Sequence, residues 1–188
     1  MLTEKSIMKT ETVFSDDRLH RYLLRKEWDA KKSKATIVMT NPSTADLLMM
    51  DYTTLYIMNN VVRLDFGSID IVNMISKMTT KLNVKEDLDN KNEGENFDFI
   101  VKSAEKSDKI IIAWGKLGEN NKRVREVQEK LLNRLKGLKD KLYVIASDKG
   151  DCGFHPLAPH IRFSWVLKKY EESLKPEEPP KSENKPAA

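Results

Sequence analysis

Cysteine is almost missing from this chain. Cys152 stands alone among 188 residues, so no internal disulfide can form, and the composition suits a reducing compartment such as the cytoplasm. Long apolar runs are missing as well. No stretch reaches the roughly eighteen apolar residues of a membrane-spanning helix, and the first residues carry no apolar core segment of the kind a secretory leader has. Neither glycine-rich phosphate cradle, GxGxxG or GxxxxGK[ST], occurs, which removes the dinucleotide and P-loop readings. There is no paired-cysteine or His-Glu-x-x-His pattern. His155 and His160 lie five apart with no further ligand at a metal-binding spacing, so neither a metal nor a cofactor is expected. No internal repeat is present, which excludes solenoid architectures.

What the chain does hold is charge. Charged residues make up 33% of it, and the formal net charge is +4, with a pI of about 9.0. That balance weakly favours a phosphate-bearing partner and is equally that of a lysine-rich solvated surface. The hydrophobic content of 39% suffices for one domain with a sizeable core. We expect a flexible N-terminus over 1–12, a single α/β domain over 13–174, and a disordered tail over 175–188, where four prolines are interspersed with Glu, Lys and Ser.

The chain is organised around Ala35–Asp46. Ile37, Val38 and Met39 are apolar on both faces, the mark of a buried strand in a parallel sheet. Pro42 cannot donate to a ladder and disfavours helix at Asn41, so the strand ends there. Three further strands are expected at Ile69–Met74, Lys109–Gly115 and Leu142–Ala146. Between them lie helical stripes at Leu55–Leu64, ended by Gly67, at Gly94–Ser107 and at Asn120–Leu138. Arg21–Trp28 reads as an extended segment at the sheet edge, Ser76–Asn92 as a long loop, and Pro159–Leu174 as a last helix. The pattern predicts a three-layer αβα sandwich around a mostly parallel four-stranded sheet. Every strand-to-helix turn then emerges at one rim, where ligands bind in open α/β sheets.

That rim supplies the candidate site. Asn41 offers an amide for a water or a base edge, or serves as a turn-former before proline. Asp46 is a candidate to activate water or hold a sugar hydroxyl, or to cap the following helix. Asp51 has the same choice, with capping favoured. His155 lies in a Phe-His-Pro turn after the fourth strand, whereas His160 reads as a surface residue. Asn41, Asp46 and His155 are the catalytic candidates. Pro42, Ser43, Thr44, Asn73, Trp114, Gly115 and Phe154 are the binding candidates. Trp114 or Phe154 is placed to stack on a base, or Trp114 simply plugs the sheet edge. Cys152 has no histidine at a defined spacing to activate it.

Taken in order, Arg21-Tyr22-Leu23-Leu24, Trp28-Asp29, Asn41-Pro42-Ser43-Thr44-Ala45-Asp46, Gly94-Glu95-Asn96, Ala113-Trp114-Gly115 and His155-Pro156-Leu157 resemble the family called domain of unknown function 1643. The likeness runs from about Phe14 to Leu157. The family's usual Asp-Pro-Thr is here Asp51-Tyr52-Thr53. Its layout resembles the uracil-DNA glycosylase superfamily, in which an Asn-Pro or Asp-Pro turn positions the attacking water and a later His-Pro loop contacts the base. Asn41-Pro42 and His155-Pro156 match those places. Leu157 replaces the usual serine, and Ala158-Pro159-His160 stands where the superfamily's intercalating loop usually follows. The resemblance implies a nucleobase, nucleotide or DNA as partner and hydrolysis of an N-glycosidic bond as the reaction. Two alternatives stay open: binding of a nucleotide or modified base without cleavage, and a protein-interaction role in a phage–host conflict through the basic helix around Lys122–Lys141.

Overall fold

The structure, a computed structural model, describes residues 1–43, 47–79, 83 and 93–173. The apolar runs become the centre of one sheet. Strands β1 (Lys9–Phe14), β2 (Arg21–Glu27), β3 (Ser33–Met39), β4 (Phe66–Asn73), β5 (Lys109–Ile112), β6 (Leu142–Ala146) and β7 (Val166–Lys169) lie side by side in the order β1-β2-β4-β3-β5-β6-β7. The inner four, β4, β3, β5 and β6, are mutually parallel, as their unbroken hydrophobicity requires. The expectation of a four-stranded sheet is corrected to seven strands. β2 joins β4, β1 joins β2, and β7 joins β6, all antiparallel.

Side-chain alternation along these strands divides the core in two. Val38, Val72, Ile110, Ile112 and Val144 point to one face, where they meet helices α2 (Glu93–Glu105) and α3 (Lys122–Arg134). Ile37, Met39, Ile69, Ile71 and Ile111 point to the other, where they meet α1 (Tyr52–Arg63). The helical stripes are those the spacing predicts: Phe97, Ile100 and Ala104 on α2, and Val124, Val127 and Leu131 on α3, with Leu135 at its C-cap, are all buried.

Four boundaries differ from expectation, each for a physical reason. Arg21–Glu27 is extended but is not the edge, because β1 pairs outside it. β1 reaches into the stretch expected to be loose; its Lys9 and Glu11 face solvent, so it reads as polar, which is how edge strands resist further pairing. Gly67 is no helix stop but a β4 residue against which the chain turns closely. Trp28 and Asp29 donate to its carbonyl at 2.9 and 3.0 Å, and a Cβ there would come within 1.9 Å of the Asp29 carbonyl oxygen. Pro159–Leu174 is not a helix but a series of turns followed by β7 and the short α4 (Tyr170–Ser173). The buried amide of Asn60 replaces the helical ladder there. Its Nδ2 donates to the Arg162 carbonyl at 2.8 Å, and its Oδ1 accepts from Trp165 N–H at 3.0 Å. Ser76–Thr79 fold back onto the start of β2, with Arg21 N–H on the Ser76 carbonyl and Met78 N–H on the Leu19 carbonyl, both at 2.9 Å. Most of the expected 76–92 loop and the whole 175–188 tail lie outside the described residues.

One charge is locked inside this frame. The Asp70 carboxylate on β4 takes a bidentate pair from Arg25, Nε at 2.7 Å and Nη2 at 2.9 Å, and an ion pair from Lys34 at 2.8 Å. Burial alone would raise its pKa, but the hydrogen bonds and charges of Arg25 and Lys34 outweigh burial and hold it below the ordinary carboxylate value. Asp70→Asn removes the carboxylate that Lys34 and Arg25 share, leaving Arg25 only its pair with the exposed Glu11 at 3.0 Å, and we expect a loss of about 3 kcal/mol in urea unfolding. Because the folded-state value is lowered, Asp70's contribution is present above its unfolded value of about 3.9 and is lost as pH falls through the folded value. The acid-induced loss of stability in the wild type will therefore be shallower in the variant.

Candidate functional site

The strand order creates a switch point. The chain leaves β3 for β4 on one side and later enters β5 on the other, so the loops after β3 and β5 diverge at the carboxyl rim. β3 and β4 keep pairing slightly past their ends, through Met74 N–H to the Met39 carbonyl and Ile75 N–H to the Thr40 carbonyl. The Thr40 hydroxyl then donates to the Trp114 carbonyl at 3.0 Å, tying the first rim turn to the β5 turn. Asn41, Pro42, Asn73, Trp114, Gly115 and His155 thus leave the sheet at the same end.

Beneath this rim the structure gathers charged and polar groups from separate elements. Asp51 caps α1, its Oδ1 accepting from Thr54 N–H at 2.7 Å. Burial alone would raise its pKa. Hydrogen bonds from the Ser43 hydroxyl and from Thr54, together with the charge of Arg21, outweigh burial and hold it below the ordinary carboxylate value. Arg21 opens β2 and is buried. Burial lowers its pKa to about 10, against the upward pull of Asp51. Its Nη2 reaches Asn73 Oδ1 at 3.5 Å, at the end of β4. Asn96, reaching up from α2, donates from Nδ2 to the Asn73 and Met74 carbonyls at 2.8 and 3.1 Å, while its buried Oδ1 has no hydrogen-bond partner among the described residues.

His155 approaches from the loop after β6. Gly115, with φ of +71°, lets it come close: a Cβ on that glycine would lie 3.0 Å from His155 Cβ. Leu157 N–H donates to His155 Nδ1 at 3.2 Å, which assigns the ring proton to Nε2. Burial lowers the imidazole pKa, and the nearby Asp51 charge pulls it partly back. The result at neutral pH is an uncharged imidazole with an Nε2–H donor, in the field of the Asp51 carboxylate.

Other candidates take different places. Asn41 commits its NH2 group to the Thr79 carbonyl at 2.9 Å, bracing the rim loop. Phe154 turns inward: its ring is buried on the α1 side with Ile161 and Trp165 and meets His160 edge-on at 4.5 Å. Trp114 is half-buried on the opposite face with the α2–α3 core, so these two rings form no sandwich around a base. Thr44 and Asp46 lie outside the described residues. Arg21 and Asn96 were not singled out from the sequence as site residues, and Asp51 was weighed there with capping favoured. Their signals are weak: an arginine opening an otherwise buried strand, an aspartate that fits helix capping, and an asparagine on an apolar helix face. A cavity of about 710 Å³ runs along β1, lined by Thr10, Thr12, Phe14, Arg18 and Leu47–Met49 among others, and contains none of the predicted site residues. Among the described residues no group of three or more His, Cys, Asp or Glu side chains is placed to hold a metal ion, and no helix is long and apolar enough to cross a membrane.

The family described as protein of unknown function (DUF1643) matches residues 21–157, most of the chain, and the chain belongs to it. No curated protein and no solved structure matches.

The electrostatics give a direct expectation. In an NMR titration His155 will titrate below the ordinary histidine value of about 6.5. Asp51→Asn will move it lower still, because it removes a charge that pulls it up. Since the folded value is lowered, stability linked to His155 is present above about pH 6.5 and is lost as pH falls toward the folded value. A His155 that titrates at or above the ordinary value, or that rises in Asp51→Asn, contradicts this geometry.

Proposed function

We propose that this member of the family binds a nucleobase-bearing ligand at the carboxyl rim and hydrolyses its N-glycosidic bond. The observation that carries the reading is the convergence of Arg21, Asp51 and His155, three ionisable groups from separate elements, partly or wholly buried at the switch point. Such groups are costly to place there, and they cluster at functional sites. The matches of Asn41-Pro42 and His155-Pro156 to the turns of the uracil-DNA glycosylase superfamily support the same reaction class.

Each group has a role in that chemistry. The bond between the sugar anomeric carbon and the base nitrogen breaks, and its electron pair leaves with the base. The neutral His155 Nε2–H donates a hydrogen bond to the negative charge that develops there, without competing as a cation for a proton. Asp51 faces the positive charge developing on the sugar and accepts the proton of the attacking water. Arg21 keeps Asp51 ionised. Asn41, its NH2 group held by the loop, offers its carbonyl oxygen to orient that water, and Asn73 lies beside the base edge. Asp46, Ser43, Thr44 and Pro42 belong to the same turn.

A second reading has its own support. Asp51 is also a helix cap and Asn41 a loop brace, roles that hold the rim in shape for binding without cleavage.

A panel of uracil, hydroxymethyluracil and other modified bases, in single-stranded DNA, duplex DNA and free nucleotides, separates the two. The enzyme reading predicts free base, with His155→Ala lowering the rate about 10²–10³-fold and Asp51→Asn about 10²–10⁴-fold. Tight nucleotide binding with no base released selects the binding reading. A folded protein that neither releases nor binds any of them removes both.

A further inference from the structure

The cavity of about 710 Å³ along β1 lies apart from the rim groups. Thr10 and Thr12 stand on alternate residues of β1, so they share one side of the sheet. Their partners on β2 are Lys26 and Leu24, and Leu24 belongs to the core on the α1 side. The walls are tied together. The fully buried Lys26 donates from Nζ to the Leu47 carbonyl at 3.3 Å and to the Thr10 hydroxyl at 3.4 Å, which joins one wall to the strand opposite. The hydroxyl of Thr12 is buried with no hydrogen-bond partner among the described residues; a χ1 step that exchanges it with the methyl group would bring it to the cavity wall.

Arg18 closes one end. Its φ is +57°, in the left-handed region that a residue with a large side chain disfavours. The turn holds it there. Arg18 N–H donates to the Ser15 carbonyl at 2.9 Å and Ser15 N–H to the His20 carbonyl at 3.0 Å. The Asp17 carboxylate accepts from Leu19 N–H at 3.0 Å and from the Ser15 hydroxyl at 2.6 Å. The guanidinium is thereby laid over the Phe14 ring, 4.5 Å from its centroid, and it pairs with no acid among the described residues. Backbone strain that fixes a side chain in this way is found at ligand clamps.

We propose that this cavity binds an aliphatic carboxylate, its head paired with Arg18 and its chain laid between β1 and the Leu47–Met49 segment. The volume falls within the range of roughly 300–1,000 Å³ typical of small-molecule sites, and apolar walls with a few polar groups are their usual lining. The body of the ligand follows from those walls. Met8, Leu48 and Met49 line the cavity and are 39%, 90% and 65% exposed. Flexible methionine and leucine side chains adapt to an aliphatic chain. The head follows from the charge. The planar guanidinium fork matches the two oxygens of one carboxylate. Arg18 is the one charged residue among those that line the cavity, which suits a single negative charge better than a phosphate dianion or a polyanion. The Thr10 hydroxyl, already accepting from Lys26, keeps its own proton to donate. The proposal does not depend on the chemistry at the rim.

Amide-shift titrations of the full chain with decanoate, decanol and decylamine, each kept below its aggregation threshold, test it. Decanoate is expected to move the Thr10, Thr12, Arg18 and Leu47–Met49 signals saturably and to bind about ten-fold or more tighter than the other two. Arg18→Gly removes the guanidinium, while glycine accepts the φ of +57° without strain. It is expected to keep the circular dichroism of the wild type, to weaken decanoate about ten-fold or more, and to leave decanol unchanged. Arg18→Lys keeps the charge without the fork and is expected to fall between the two. If decanoate gives no saturable shift along β1, the proposal is overturned. Equal binding of decanol or decylamine overturns it as well, as does a decanoate affinity that a folded Arg18→Gly variant leaves unchanged.

Discussion

The Asp51 carboxylate is the point on which the rim depends. It caps α1, so it fixes where the helix over one face of the sheet begins. It accepts from Ser43, so it fixes the turn that follows β3. Its charge balances the buried Arg21 at the start of β2 and reaches His155 from the loop after β6. A half-buried carboxylate held below its ordinary pKa must be repaid by close donors and a cation. Here the donors come from the first rim turn and the helix start, and the cation comes from a strand two places across the sheet. Remove Asp51 and the buried Arg21 loses this counter-charge, the Ser43 hydroxyl loses this acceptor, and His155 loses this anion from its field.

The rest of the fold brings these groups together and keeps them still. Two buried asparagines act as clips. Asn60 holds the Arg162–Trp165 turns down on α1, and Asn96 holds the Asn73 and Met74 carbonyls from below. Toward the opposite end of the sheet, the Arg25–Asp70–Lys34 cluster ties β2, β4 and β3 together. The sheet thus carries two charged clusters with different surroundings. Around Asp70 two cations meet one anion in short, direct pairs, which suits a structural joint. At the rim the charges are spread over longer reach and accompanied by a neutral imidazole and by an amide oxygen with no partner among the described residues, which suits a place that receives a ligand.

Much of this was legible in the sequence, and the exceptions are instructive. The four parallel strands were readable because strands buried on both faces leave no polar residue to blur them, as Ile37-Val38-Met39 and Ile110-Ile111-Ile112 show. The stripes of α2 and α3 were readable because their outer faces are densely charged. The antiparallel strands were harder. Lys9-Thr10-Glu11-Thr12 looks like a polar terminus because an edge strand carries its charges outward. The 159–165 turns were misread as helix because the group that replaces their ladder, Asn60, lies about a hundred residues away. Asn41, Asn73, Gly115 and His155 lie at the rim, where their place after strands predicts them. Arg21 was passed over because a strand arginine has an ordinary local explanation, and Asp51 was weighed but assigned to helix capping; only the fold brings them together. Phe154 was misplaced for the converse reason, since an aromatic in a rim loop is as free to turn into the core as out of it.

The central claim is that these dispersed residues form one ligand site. Amide-shift mapping by ¹⁵N NMR, while free nucleobases and nucleosides are titrated in, tests it most directly and asks nothing about turnover. The account predicts changes that saturate and concentrate on Asn41, Ser43, Asn73, Gly115 and His155, and that vanish in Asp51→Ala. Changes confined to the cavity along β1, or none at any concentration, would contradict it.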